Sequence, residues 1–588
     1  MNRRLLCLAV LAAAATGALA HAGSSGAAVA VVLSSPPDNV DLLSEADTQI
    51  DGALGSDRVG WRVTSGDVNG DGVGDTVIGS QSMTAYVLFG GLPALLDLSL
   101  FPATGFRIQG TAAGTEPEVV GDVNGDGKED LLVSGGTNKS WVVFGKDDGA
   151  TVSTSSLGNG GFGIVSQPGP RTVAFDGAGD VNGDGLDDIV FLDAAVDTAY
   201  VVFGKTTSST VTLASLGSGG YRVTGASFGT LAAAGDVNRD GRGDMLLADF
   251  GFDGTMENVG RAWIVFGKAN TTPVDVTGLG SSGYVIEGGA EGDQIGVFVA
   301  NAGDVNGDGV PDQLIVHGTG RRASIVFGRG SGTKKITIAT GGFRGYAIEA
   351  PAGASIDSIA GGADTNGDGL ADQLIGDRDV DLGGRTDAGA AWVVFGKPDK
   401  ETVSLDEYAN GYRIDGPSAH AELTDVAFHT LGGSVHVLAG AWKNDANGRA
   451  DSGSVYEVRD GSHVPFPIEN ATLSSSSERF LADTEGGEQP RLTFDALAAM
   501  RVQLALFRLT EGHQTRTGGC AKGTPRRAQR ACVVMKRVRA ASFVVTRPRR
   551  VSAPLQGSFP VGTYALAMQV TTRDGRVTGP FRAVFRVR

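Results

Sequence analysis

Cysteine is almost absent from the chain: three residues in 588, at Cys7, Cys520 and Cys532. Cys7 falls in an N-terminal leader described below, so two remain. Two cysteines in an exported protein most often form one disulfide, Cys520 to Cys532. A structural zinc site needs four ligands, and His513 alone does not complete one. Basic charge is also short. Lys and Arg number 49 against 66 Asp and Glu, a formal net charge of -17. That balance excludes general nucleic-acid binding, which needs a basic surface. Helical periodicity is missing throughout. The apolar run Leu5 to Ala15 is too short to span a membrane, and no later run reaches about 18 residues.

Arg3 and Arg4, that apolar run and Ala18-Leu19-Ala20 together read as a secretory signal peptide over residues 1–20. Cys7 stands near the start of the apolar run and not after it, which argues against a lipoprotein. The expectation is export, with a mature chain from about His21 that is secreted or held at the cell surface.

Glycine is plentiful, at 91 residues, about twice the usual share. Without a collagen period this means many tight turns between short strands. The repeat confirms it. "GDVNGDGVGD" from Gly66 returns at Gly121, Gly179, Gly235, Gly303 and, as "ADTNGDGLAD", at Ala363. The spacing is 55 to 68 residues, the scale of a repeat architecture. Each unit adds a short strand before the aspartates and an apolar strand after them. A strand ending in Phe-Gly follows, then an extended segment such as "GYRVTG" from Gly220. Four antiparallel strands per unit describe a propeller blade.

A seventh unit, "LTDVAFHTL", "SVHVLAGAW" and "GSVYEVR", has no aspartate run and lacks a fourth strand. "DTQIDG" from Asp47 matches that missing strand, so the N-terminus closes the ring and leaves no open edge. The expected fold is all-β: a seven-bladed β-propeller over residues 28–460, then a linker at 461–490. An immunoglobulin-like β-sandwich follows over 491–588, where the strand alternation resumes. Residues 461–588 hold 20 basic and 8 acidic residues, about +12, which leaves -29 for the rest.

The aspartate runs share D-x-N-x-D-G-x-x-D. Side-chain oxygens at positions 1, 3 and 5 converge if the backbone turns sharply at the position-6 glycine. Oxygen ligands without thiol or imidazole suit calcium. Position 7 varies freely, as a backbone-carbonyl ligand can. The final carboxylate is at position 9. Position 12 is apolar in all six, so neither an EF-hand nor its flanking helices fit.

The candidate ligands are Asp67, Asn69, Asp71, Val73 and Asp75 in loop 1, and Asp122, Asn124, Asp126, Lys128 and Asp130 in loop 2. Loop 3 offers Asp180, Asn182, Asp184, Leu186 and Asp188; loop 4 offers Asp236, Asn238, Asp240, Arg242 and Asp244. Loop 5 offers Asp304, Asn306, Asp308, Val310 and Asp312; loop 6 offers Asp364, Asn366, Asp368, Leu370 and Asp372. Three carboxylates crowded in each loop repel one another unless a cation joins them. About six calcium ions are expected.

These units resemble FG-GAP repeats of the integrin α-chain N-terminal propeller, which implies seven blades and calcium hairpins. The resemblance covers about three quarters of the chain. More loops look intact here than in integrin propellers, and neither an inserted von Willebrand A domain nor legs are seen. Bacterial FG-GAP proteins include adhesins, surface proteins and enzyme appendages, so the implied function is extracellular binding or adhesion to protein or glycan. The alternatives are a polysaccharide-active enzyme or a purely structural surface protein; no catalytic constellation stands out.

Arg242-Gly243-Asp244 spells an adhesion tripeptide, but Asp244 is already a loop ligand. The G-x-G-x-x-G runs from Gly158 and Gly278 open no helix and so imply no dinucleotide site. His420, His429 and His436 lack metal spacing. The connections on the face opposite the aspartate loops are long in blades 4, 6 and 7. Long loops on a rigid scaffold often carry recognition. Trp442, Asp253, Asp381, Arg385 and Lys443 are their expected contacts, and a monomer is expected.

Overall fold

The structure is a computed structural model of the full chain. It describes residues 40–459 except 103, 111–115, 135–137, 167–172, 194–195, 330–334, 339–341, 383 and 407–409. Beyond these it describes the backbone of strands at Val31–Leu33 and between Ile468 and Val587. The leader expected over residues 1–20, with Cys7, lies outside the described residues.

The chain divides into two compact units, Pro37–His463 and a second made of Met1–Pro36 with Val464–Arg588. The first is a seven-bladed propeller. Blade 1 runs from its inner strand Arg62–Gly66 through Asp75–Gly79 and Thr84–Leu88 to the outer strand Gly105–Gln109, all antiparallel. Blades 2 to 6 repeat this over residues 117–165, 173–224, 230–288, 299–349 and 358–415. Blade 7 takes Leu423–Leu431, Ser434–Ala441 and Ser454–Arg459 from the end of the unit and Thr48–Asp51 from its start. The N-terminal closing strand is therefore where the repeat arithmetic puts it.

Each blade also carries a fifth strand that the repeat pattern did not reveal. A short piece between the third and outer strands reaches back and pairs, in parallel, with the outer strand of the preceding blade. Val152–Ser153 joins Gly105–Gln109 in this way, and Val211–Thr212 joins Gly161–Val165. Val40–Asp41 does the same for blade 6 and Leu95–Asp97 for blade 7. Every outer edge is thus covered by chain from its neighbour, which removes a template for edge-to-edge pairing.

The core lies between blades. In the second strand of blade 4, Met245 and Leu247 pack toward blade 3, while Leu246 and Ala248 pack toward blade 5. Strand side chains alternate between faces, and both faces are covered. That is why these strands read as continuous apolar runs. The position-12 residues Ile78, Val133, Phe191, Leu247, Ile315 and Ile375 are all buried, as their polarity demands.

The second unit is also built of strands. Ile468–Ser474 sits between Val31–Leu33 and Arg491–Ala496, and the last of these pairs with Arg549–Pro554. Met500–Gln514 pairs with Ala531–Val545, Cys520–Lys522 and Gly562–Thr572, and Gly562–Thr572 with Val577–Val587. The segment expected as a linker at 461–490 therefore contains a strand, and residues 31–33 belong to this unit and not to the propeller. The side chains of Cys520 and Cys532 lie outside the described residues. No helix among the described residues is long and apolar enough to cross a membrane.

Candidate metal centres

Each aspartate run forms the hairpin between the inner and second strands of its blade, so the six loops emerge on one face of the ring. The turn is fixed by its own side chains. In loop 1, Asp67 Oδ1 accepts from the N–H of Gly70 (2.8 Å) and Asp71 (3.0 Å), and Oδ2 from Gly72 (2.8 Å). Asn69 Oδ1 accepts from Asp71 (2.8 Å) and Asp71 Oδ1 from Val73 (2.9 Å). The same bonds recur in the other loops, as in Gly127 to Asp122 and Leu370 to Asp368. Gly70 has φ +75°, which suits glycine.

Position 9 differs from the rest. Asp75, Asp130, Asp188, Asp244, Asp312 and Asp372 are each fully buried, at 0% exposure. One oxygen accepts from the glycine of the Phe-Gly pair: Gly90, Gly145, Gly204, Gly267, Gly328 and Gly396, at 2.7 to 2.9 Å. The other accepts from the loop backbone, as in Val123 N to Asp130 (3.0 Å) and Val181 N to Asp188 (2.9 Å). Burial pushes five of these carboxyls up to about 7 and Asp130 up to about 8; the N–H groups oppose the rise. A buried carboxyl of this kind is neutralised by a proton or by a cation beside it.

The Phe-Gly pair is explained by the same geometry. A Cβ on Gly145 would stand 2.6 Å from the carbonyl oxygens of both Glu129 and Val68, so only glycine lets blade 2 close on loop 1. The phenylalanine packs on the aromatic residue of its own outer strand, as Phe203 does on Tyr221 with ring centroids 6.0 Å apart. The lysine after Phe-Gly then covers the outer-strand ring of the preceding blade. Lys205 Nζ is 4.3 Å from the Phe162 ring and Lys268 Nζ 4.0 Å from that of Tyr221. Such cation–π contacts tie blade to blade.

The donors fit a hard dication: oxygen only, from carboxylate, amide and backbone. Asn69 Nδ2 lies 3.1 Å from Asp71 Oδ2 and 3.4 Å from Asp75 Oδ1, and Asn182 repeats this in loop 3. A partly positive amide group thus stands where two carboxylates face each other. In loop 5, Arg344 pairs with Asp308 at 3.3 Å. Asp357, Asp377 and Asp379, on blade 6 toward the opposite face, have oxygens within 4.8 Å of one another. The loop aspartates are not gathered that tightly. The sequence reading missed this trio; Arg378 lies 3.3 Å from Asp357.

The tempting motifs resolve plainly. Asp244 is buried and bonded, so Arg242-Gly243-Asp244 presents no carboxylate to solvent. The two G-x-G-x-x-G runs lead into outer strands at Gly161 and Gly283. His420 is exposed beside Asp387, whereas His429 and His436 are buried.

The long loops behave differently from expectation. Trp442 is buried, edge-on to Trp61 at 4.7 Å and under Arg58 at 4.8 Å. Arg385 is bonded to Asp41 (2.9 Å) and Lys443 to Glu422 (2.6 Å). Asp253 and Asp381 accept from the N–H of Asn258 and Asp387 within their own loops. Asn258, Asp387 and Asp451 then accept, through their carbonyls, from Gln294, Glu422 and Arg58 at the entry to the next blade (3.0 to 3.1 Å). All six have φ between +45° and +52°. The three loops are clasps between neighbouring blades.

Inner strands hold a further polar group that sequence reasoning did not single out. Arg62 reaches Glu118 (2.9 Å) and Asp425 (3.7 Å). Asp425 and Asp176 each accept an N–H from the next blade's inner strand, Val63 and Ala233. These carboxylates satisfy strand edges that no fifth strand covers.

No protein-family model matches the chain, and no curated protein matches it. Among solved structures it is similar to two crystals of BBS1N in complex with ARL6DN, soaked with lead and with mercury. Both have a TM-score of 0.38, with 11% and 10% identity. They cover 72% of this chain, and 98% and 97% of those chains. That degree of likeness identifies neither family nor function.

Proposed function

We propose that this chain is an FG-GAP-type propeller of bacterial kind, loaded with calcium and exported, that acts in extracellular binding or adhesion to a protein or glycan. It is a binding module and not an enzyme. The observation that carries the metal reading is the fully buried position-9 carboxylate repeated in six loops, beside a half-buried carboxylate at position 1 and an exposed one at position 5. Asp67, Asn69, Asp71 and Asp75 and their counterparts, with the position-7 carbonyl, would hold the ion. When bound, it supplies the charge that lets three carboxylates share one turn.

The binding reading is supported by the face opposite the loops. Of nine exposed large apolar residues among the described residues, Leu54, Met83, Val196, Phe250, Met256 and Phe298 lie on connections at that end of the blades. The three clasps favour a second reading, a structural surface protein, because they consume the long loops internally. The basic C-terminal unit is proposed as an immunoglobulin-like sandwich closed by a Cys520–Cys532 disulfide, which peptide mass analysis without reductant tests. Metal analysis of the dialysed protein should find about six calcium ions. A glycan array with calcium and with chelator separates binder from scaffold: no calcium-dependent ligand on glycans or a protein array favours the scaffold.

A further inference from the structure

Neighbouring aspartate loops are joined. The backbone N–H at position 8 of one loop donates to the position-1 carbonyl of the loop before it. Glu129 bonds to Asp67 (3.0 Å), Asp187 to Asp122 (3.1 Å), Gly243 to Asp180 (2.9 Å) and Ala371 to Asp304 (3.0 Å). In the first two pairs the side chain answers: Glu129 Oε2 accepts from Asp67 N and Asp187 Oδ2 from Asp122 N, both at 2.8 Å. Position-1 aspartates also carry most of the loop's own hydrogen bonds, so a shift at position 1 reaches the next blade.

The series has one gap. Position 8 of loop 5 is Pro311, which has no N–H to give to loop 4. At that seam Arg239 crosses from loop 4. Its Nε donates to the Gly309 carbonyl (3.2 Å) and its Nη2 to that of Asp308. Arg239 is position 4 of its loop, where the other five have Gly70, Gly125, Gly183, Gly307 and Gly367. It shares their left-handed backbone, at φ +61°. L residues disfavour that conformation. The one loop that gives up its glycine is the one facing the proline.

We propose that Arg239 is a positioning residue that couples loops 4 and 5 for cation binding, in place of the bond Pro311 cannot donate. The inference rests on the calcium reading above. Asp308 and Gly309 directly precede Val310, whose carbonyl is the expected ligand, so holding them holds the turn.

The test follows hydrogen exchange of peptides spanning 236–244 and 304–312 in the full-length protein, titrated with calcium. In the native chain both gain protection at one calcium midpoint. Arg239→Gly relieves the backbone yet moves the 304–312 midpoint to about fivefold higher calcium, the lower end of coupling between linked sites. Arg239→Lys, which keeps the charge and loses the two-point fork, moves it likewise. Adding Pro311→Ala to Arg239→Gly restores the N–H and returns the midpoint. Calcium protection with an unmoved midpoint in Arg239→Gly overturns the coupling alone. Loss of calcium protection from both peptides in the native chain overturns it together with the calcium reading.

Discussion

Blades 1 to 6 and blade 7 solve the same packing problem with opposite chemistry. In blade 1 the hairpin between inner and second strands is an aspartate loop, and the inner strand, Arg62–Gly66, has five residues. In blade 7 the hairpin is Gly432-Gly433, with φ +58° and +84°, the left-handed pair that a two-residue turn requires. Its strands extend to Leu423–Leu431 and Ser434–Ala441. Where the other blades bury an aspartate, blade 7 buries imidazole. His429 Nδ1 is 2.7 Å from Ser65 Oγ, and His436 Nδ1 is 2.6 Å from Glu457 Oε1. A buried carboxyl asks for a proton or a cation; His429, which burial holds neutral, asks for neither. On the proposed calcium reading, six blades would draw stability from metal and one would not.

The strongest way to break this contrast is to remove the metal. At free calcium a hundredfold above the dissociation constant, each site adds about 2.7 kcal/mol. Melting temperature should therefore fall sharply in chelator, and Asp71→Ala should remove one loop's share of the difference. Equal melting with calcium and with chelator would end the metal reading.

Within one loop, positions 5 and 9 should part company. Asp188→Ala strands the N–H groups of Gly204 and Val181. Buried orphans cost about 1–3 kcal/mol each, so it should destabilise by roughly 3 kcal/mol even in chelator. Asp184→Ala should cost little there and show its loss only in calcium. Denaturant unfolding of both variants in both buffers decides it.

Acid titration without metal should sharpen the contrast by sign. The position-9 carboxyls are raised to about 7 or 8, so the folded state holds protons the unfolded chain has lost. Their contribution is full below about pH 4 and is lost as pH rises through 7 to 8. Burial lowers His429 to about 4, so its contribution is full above about pH 6.5 and is lost as pH falls toward 4. In chelator the melting temperature should thus fall between pH 6 and pH 8. His429→Asn should remove an opposing share, so that the melting temperature rises more from pH 6 to pH 4 than in the native chain. Calcium should abolish the alkaline loss, because the ion takes the proton's place. A flat profile from pH 6 to 8 in chelator would contradict this account.

The smallest effect concerns the lysine that follows Phe-Gly. Lys268→Met keeps the apolar stem over Tyr221 and removes the charge, at a cost of about 1 kcal/mol. The cost should be the same in calcium and in chelator. A calcium-dependent cost would mean that the blade gap and the loop are not separable.

The ring was legible because its signals repeat: the aspartates, the Phe-Gly pair and the outer-strand aromatic each recur at one spacing. The closing strand at Thr48–Asp51 was legible by subtraction. The parallel fifth strands were not, because two residues such as Val211–Thr212 carry no alternation to count. The spacing marks position 9 as a ligand alone; its second role, holding the Phe-Gly glycine, depends on contacts across a hairpin. The long loops misled because length says nothing of partners. Their signal was an acid five or six residues before a left-handed Asn or Asp, as in Asp253 and Asn258. Trp442 reads as a recognition contact because its partner Trp61 lies nearly four hundred residues earlier, beyond the reach of any local pattern.

Ring closure also sets an order of events. Thr48–Asp51 is made early, yet it pairs with Ser454–Arg459 only once the rest of the propeller has been made. Val40–Asp41 waits in the same way for Gly411–Asp415. During synthesis the first segment therefore remains without its sheet while six blades emerge, and pairings this distant in sequence form slowly. A chain interrupted before Arg459 has an open seventh blade, with strand edges exposed to the next molecule. Such a protein is complete or vulnerable, with little in between.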